Sequence, residues 1–167
     1  ASILFVEDFA EVTTKGFNIV RHNKSEKNIK LNVSKETTVI KLDFNKNLDW
    51  YCKMYGIETK KDTCIMYKAV HKIKNSYISN YNSNFKYIIG KTKSEKCDPK
   101  ESGSCSRGIH IAYKNWAYLF GKDWEDLAIL ECEVNKKDII VCEDTDGKVR
   151  ASKIKVLREL PKEEYFK

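Results

Sequence analysis

Residues 127–160 read LAILECEVNKKDIIVCEDTDGKVRASKIKVLREL, and the alternation inside this stretch decides the fold class. Leu130, Cys132 and Val134 fall on one side of an extended chain, and Ile129, Glu131 and Glu133 on the other. A period of two is what a strand with two different faces imposes. KDIIVCE continues as a second strand into DTDGK, where Asp146-Gly147 is the dipeptide of a tight hairpin turn. VRASKIKVLREL returns, with its apolar phase shifting from Val149 and Ala151 to Ile154 and Val156, which places a bulge near Ser152. A hairpin turn implies antiparallel pairing, and strands outnumber helices along the chain. The class is α+β: a mainly antiparallel sheet with one or two short helices packed against it.

The same patterning extends toward the N-terminus. CIMYKAVHKI (64–73) reads as a buried strand, RGIHIA (107–112) as a short one, and KNWAYLFG (114–121) as one to two helical turns. Trp116, Leu119 and Phe120 would face the core, and Gly121 would end the helix. SILFV, GFNIVR, NIKLNV and TVIKLDF are four short segments with apolar residues at alternate positions, expected to pair as antiparallel strands and hairpins. Asn45 or Asn47 could cap a helix over LDWYCKMYG, with Gly56 suited to its C-terminal cap. Residues 72–104 are rich in Asn, Ser and Lys and read as mostly surface loop. A change of character near TKKDT divides the chain into a β-rich segment with a short helix, 1–63, and an α+β domain, 64–167.

Composition narrows the function classes. The 167 residues carry a formal charge of +7. Ten lysines between Lys60 and Lys100 face only Asp62, Glu95 and Asp98, so this stretch holds the whole excess while the remainder is balanced at 21 basic and 21 acidic residues. Such a local excess draws in phosphates, an acidic partner or nucleic acid, although lysine without interleaved arginine makes few of the bidentate contacts used in base recognition. No run of about 18 apolar residues exists to span a membrane. The opening ASILFVEDFAEV lacks a basic leader and does not read as a signal peptide, which points to reduced cysteines in a cytosol. The six cysteines form no CxxC pair, and Cys97 and Cys105 with His110 match no common zinc spacing.

The candidate site is CSRGIHIA (105–112). His110 lies between Ile109 and Ile111 and so points away from both, either as a base or phosphate contact sharing a face with Lys68 or Arg107, or as a tie holding the loop by backbone hydrogen bonds. Gly108 could admit a ligand close to the backbone. Lys148 and Arg150 alternate on one strand face, and with Arg107 they could form an anion pocket. The alternative is that they pair with Glu131 and Glu133 across neighbouring strands. The ligand-binding set is therefore Arg107, Gly108, His110, Lys148 and Arg150. No phosphate-binding glycine loop, dinucleotide fingerprint or carboxylate metal cluster is present, so no cofactor is expected.

An ordered series of motifs carries a family resemblance. YKAV, NSNFKYIIGK, CSRGIHIA, a helix ending in FG, ILECEVNKKDIIV and DGKVRASKIKVL, spanning Tyr67 to Leu160, resemble the C-terminal domain of the rII B lysis-modulating proteins of tailed bacteriophages and related small phage and prophage proteins. The resemblance implies a phage or prophage origin, a cytoplasmic setting in a bacterial host, and a binding role toward a host or phage protein or a phosphate-bearing ligand, with no chemistry of its own. A looser similarity to ADP-ribosyltransferases rests on GIHIAYKNWAYLFG followed by AILECEV. It implies an NAD-using enzyme in which Lys68 or His71 meets the cofactor and Glu131 or Glu133 polarises the ribose hydroxyl. The H-G or R-G opening usual in that family is absent. A nucleic-acid accessory role through residues 60–100 is the third reading.

Overall fold

The computed structural model describes residues 2–6, 10–23, 28–42, 48–98, 103–142, 145 and 147–165. Strand accounts for 46% of the chain and helix for 14%, and the chain divides into two compact units, 1–51 and 52–167.

The first unit contains five strands: β1 (Ser2–Val6), β2 (Glu11–Thr13), β3 (Asn18–Asn23), β4 (Lys30–Asn32) and β5 (Thr38–Leu42). They do not form hairpins. β3 lies between β1 and β5 in one parallel sheet, and β2 pairs with β4 in a second. The chain thus coils, visiting the two small sheets in turn, so each strand lies beside the one two places earlier and runs the same way. Alternating apolar residues look the same in parallel and antiparallel strands, which is why the sequence pattern misassigned their direction. Polar side chains tie one corner: Thr14 and Thr37 share a hydroxyl hydrogen bond of 2.7 Å, and Ser34 Oγ donates to the Gly16 carbonyl at 2.7 Å. Helix α1 (Leu48–Met54) leads into the second unit, and Gly56, at φ +62°, follows its last turn as expected. The proposed caps Asn45 and Asn47 lie outside the described residues, as does Asp146 of the Asp-Gly turn.

The second unit is built on a nine-stranded sheet. Its strands are β6 (Thr63–Ile73), β7 (Ser76–Ile78), β8 (Lys86–Tyr87), β9 (Thr92–Ser94), β10 (Ile109–Ala112), β11 (Leu127–Asn135), β12 (Ile139–Ile140), β13 (Lys148–Ala151) and β14 (Lys153–Glu159), with helix α2 (Lys114–Gly121) after β10. The order across the sheet is β12-β13-β10-β6-β11-β14-β9, with β7 on β6 and β8 on β7, and the described pairings are antiparallel. Three short strands therefore occupy part of 72–104, where no alternation was long enough to reveal them.

This order forces the sheet to roll. β13 and β14 are four strand positions apart, a separation of about 19 Å in a flat sheet at ~4.8 Å per step. Only Ser152 separates them in sequence, and one residue advances the chain about 3.5 Å. The two strands must come together around a curved wall. The predicted bulge near Ser152 is thus a complete strand break, pinned by Ser152 N donating to the Asp138 carbonyl at 2.9 Å and by the Ser152 and Asp138 side chains at 3.3 Å. The inward row of β6 holds Cys64, Met66, Lys68 and Val70. Opposite it on β11 stand Leu130 and Cys132, as the pairs Leu130–Lys68 and Cys132–Met66 show. All are buried, and burying this apolar row is the main source of the unit's stability.

Helix α2 buries a different face from the one expected. Ala117 and Gly121 are buried, whereas Leu119 and Phe120 are exposed and Trp116 is half-buried. A Cβ on Gly121 would lie 2.6 Å from Leu127, so the small residues are what permit the close approach. Tyr118 packs against the cluster of Ile129, Leu160 and Tyr165.

Candidate functional site

Strands β6 and β10 share a single registered pair, Ala112 with Tyr67, among the described residues. Beyond it they diverge and leave a cavity of about 540 Å³. Lys68 from β6, Ser106, Arg107 and His110 from the β10 entrance, and Tyr81 and Tyr87 from the β7–β8 hairpin contribute to its wall. A narrower recess toward Trp116 and Lys148 shares Lys68, Tyr81 and His110 with it. The volume is that of a small-molecule site.

Lys68 is the most unusual residue here. It is 8% exposed and stands in the apolar row of β6. Its Nζ donates to the His110 carbonyl at 2.8 Å and lies 5.6 Å from the Tyr87 ring centre. Burial pushes its pKa down to about 8 from an ordinary 10.5, so at neutral pH it is still an ammonium. The neighbouring Cys132 thiol is pushed up by burial to about 12 and offers no compensating negative charge. An ammonium has three donors, and among the described residues the His110 carbonyl takes one of them.

His110 does two things at once. Its Nε2 donates to the Ser106 carbonyl at 2.8 Å, which ties down the loop and leaves Nδ1 as an acceptor. Burial, reinforced by the charges of Lys68, Lys148 and Arg150, holds its pKa below the ordinary 6.5 against the upward pull of the Ser106 bond, so it is a neutral base at pH 7. Gly108 adopts φ +143°, and a Cβ there would lie 2.8 Å from Cys97 Sγ and 3.3 Å from Arg150 Cβ. The glycine serves close packing of the loop rather than ligand access alone.

Lys148 and Arg150 leave the expected carboxylates aside. β13 neighbours β10 and β12, not β11. Glu131 instead holds Arg158 at 3.0 Å and Glu133 faces Lys60 at 3.8 Å. Lys148 Nζ donates to Cys105 Sγ at 2.9 Å and sits 5.8 Å from the Trp116 ring centre. Arg150, fully buried, points into the protein. It donates to the Arg107 carbonyl at 2.9 Å, the Asp98 carbonyl at 3.3 Å and Cys142 Sγ at 3.3 Å. It is not among the residues that line the cavity, and its bonds build the loop that bears Arg107. Arg107 itself lines the cavity and is ion-paired with Glu95 at 3.1 Å. Cys97 and Cys105 meet these cations rather than a shared metal position, and no three His, Cys, Asp or Glu side chains converge among the described residues.

The residues mapped for ADP-ribosyl transfer do not assemble. Lys68 points inward with Leu130 opposite, whereas Glu131 and Glu133 alternate to the other face of β11. His71 shares their face but pairs with Leu127, four residues from Glu131, or about 13 Å along a strand. Of the lysines of 60–100, Lys68 is buried, Lys60 and Lys72 pair with Glu133 and Glu159, and Lys93 lies over the Phe85 ring at 4.0 Å.

His71 has a separate task that its sequence position did not reveal. Its Nδ1 is 2.6 Å from Asp126 and its Nε2 3.0 Å from the side-chain oxygen of Asn80, while its ring stacks on Trp124 at 4.2 Å. Burial would lower its pKa, but the bonds to Asn80 and Asp126 and the Asp126 charge outweigh burial and raise it. The raised folded-state value makes this stabilisation complete below the ordinary 6.5 and lost as pH rises through the folded value. His71→Gln should therefore lower stability by roughly 0.5–1 kcal/mol at pH 5.5 and by less at pH 8.5, as read from urea midpoints. A constant difference across that range would show that the charged pair contributes nothing.

The chain matches no family model and no solved structure, so the resemblances drawn from motif order rest on the sequence alone. No helix among the described residues is long and apolar enough to cross a membrane. The chain is similar to Gabija anti-defense 2 of Bacillus phage SPbetaL7, with 31% identity over 119 residues covering 68% of this chain; it spans 28% of the length of that phage protein.

Proposed function

We propose that the 52–167 unit is a binding module of phage origin that holds a phosphate-bearing ligand between β6 and β10. The likeness to a phage anti-defence protein supports a role in countering a host defence, by withdrawing such a ligand or by engaging a host protein that carries one. The observation behind this reading is the buried Lys68 ammonium. It is held in an apolar row at an energetic cost, the His110 carbonyl takes one of its donors among the described residues, and it lines a cavity shared with Arg107 and a neutral His110. A phosphate there would accept from Lys68 and gain charge-assisted hydrogen bonds in a low-dielectric setting.

Calorimetric titration of the full chain with inorganic pyrophosphate tests this at low salt. Binding should weaken as salt rises, and Lys68→Met should reduce affinity about 10- to 100-fold, the worth of one or two charged hydrogen bonds. Equal affinity in the two proteins, or no binding to either, would refute the reading.

A further inference from the structure

The cavity wall is aromatic as well as cationic, and the placement of one ring narrows the ligand class. The β7–β8 hairpin carries Tyr81, Phe85 and Tyr87 along one side. Tyr87 is buried, and Phe85 meets it edge-on at 5.4 Å, with Lys93 over the Phe85 ring. Tyr81 is different. It is 69% exposed at the cavity's edge and meets the His110 ring edge-on at 5.9 Å. It also lines the narrower recess, so it stands where the two spaces join.

The backbone around Tyr81 is fixed on both sides. Ser79 N donates to the Phe85 carbonyl at 3.0 Å, and Phe85 N donates to the Asn82 carbonyl at 2.9 Å. Asn84 N donates to the Asn82 side chain at 3.0 Å. Immediately before Tyr81, Asn80 is held by His71, which is itself anchored to Asp126 and Trp124. The exposed ring thus stands on an ordered strap beside a cationic cavity. A free aromatic face next to ammonium donors suits a ligand with a flat ring at one end and phosphate at the other, because any base offers a π-face for stacking.

We propose that the ligand is a soluble nucleotide whose phosphate meets Lys68 and whose base stacks on Tyr81. This inference rests on the phosphate reading above and adds the base to it. Tyr81 is then a specificity-determining residue: it distinguishes a nucleotide from a bare sugar phosphate, while Lys68 binds both.

The test titrates the full chain with AMP, ribose 5-phosphate and adenosine, in wild type, Tyr81→Ala and Tyr81→Phe. AMP should bind wild type about 10-fold or more tightly than ribose 5-phosphate, the worth of one stacked base. Tyr81→Ala should erase that advantage without changing ribose 5-phosphate affinity, and Tyr81→Phe, which keeps the ring, should retain it. If AMP and ribose 5-phosphate bind equally well to wild type, or if Tyr81→Ala keeps the preference, the nucleotide inference is wrong and the phosphate reading stands. If neither phosphate compound binds, both fall. If adenosine binds as well as AMP, phosphate recognition fails while the ring site survives, which also overturns the proposal as stated.

Discussion

Arg150→Ala is expected to destabilise the 52–167 unit by about 3–5 kcal/mol, the range for deleting a large, fully bonded buried side chain. The guanidinium donates to the carbonyls of Arg107 and Asp98 and to Cys142 Sγ from a position with no solvent exposure. Alanine removes those donors together and leaves buried acceptors and a void. A domain with a typical stability of about 5–15 kcal/mol would lose much of that margin, and all of it at the low end. The loss should be greatest in the loop ending at Gly108, so amide exchange there should accelerate beyond the global change. Arg150→Lys should recover only part, because an ammonium cannot reproduce the planar fork. Urea midpoints for the three proteins decide the matter; an Arg150→Ala protein as stable as wild type would show that these contacts are incidental.

Lys68→Met should act in the opposite direction on stability while weakening phosphate binding. Keeping a buried amine protonated at pH 7, when its pKa is about 8 rather than 10.5, costs the fold about 3 kcal/mol, offset in part by the His110 hydrogen bond. Methionine fits the same row beside Val70 and Met66 without that charge. The variant should be more stable by about 1–3 kcal/mol at neutral pH. The sign of the pH dependence follows from the depressed value. Between about pH 8 and 10.5 the unfolded chain binds the proton more readily than the folded one, so wild-type stability rises with pH and the variant's advantage shrinks. A destabilised Lys68→Met would make the lysine a structural strut instead of a stored charge. Gain of stability with weakened binding is the pattern of a residue kept for function.

The principal strands of the second unit, β6, β11 and β14, were legible in the sequence because they are long. β11 alternates as LAILECEV requires, and the Val149–Ala151 to Ile154–Val156 phase shift marked the point where β13 becomes β14. The direction of the N-terminal strands was not legible, since alternation carries no sign. Leu119 and Phe120 were misplaced because large apolar residues usually face inward, whereas here Ala117 and Gly121 set the contact. At the site, CSRGIHIA drew attention to His110 and Arg107, and the structure puts Lys68 beside them. It sends Arg150 inward because a one-strand alternation cannot say what covers a face. Tyr81 and the His71–Asn80 anchor were missed altogether. Tyr81 and Asn80 lie in an Asn- and Ser-rich stretch with no period to read, and only the β7–β8 hairpin brings them beside His110 and His71.

The single registered pair between β10 and β6 contrasts with nine between β6 and β11. β12, β13 and β10 therefore form a leaf of the rolled wall, secured along one margin where the chain crosses Ser152 and only lightly along the other. Lys68 reaches over that lighter margin to the His110 carbonyl, acting as a latch. A ligand bound beside Lys68 and His110 would touch both strands at the margin where they share the fewest backbone pairs.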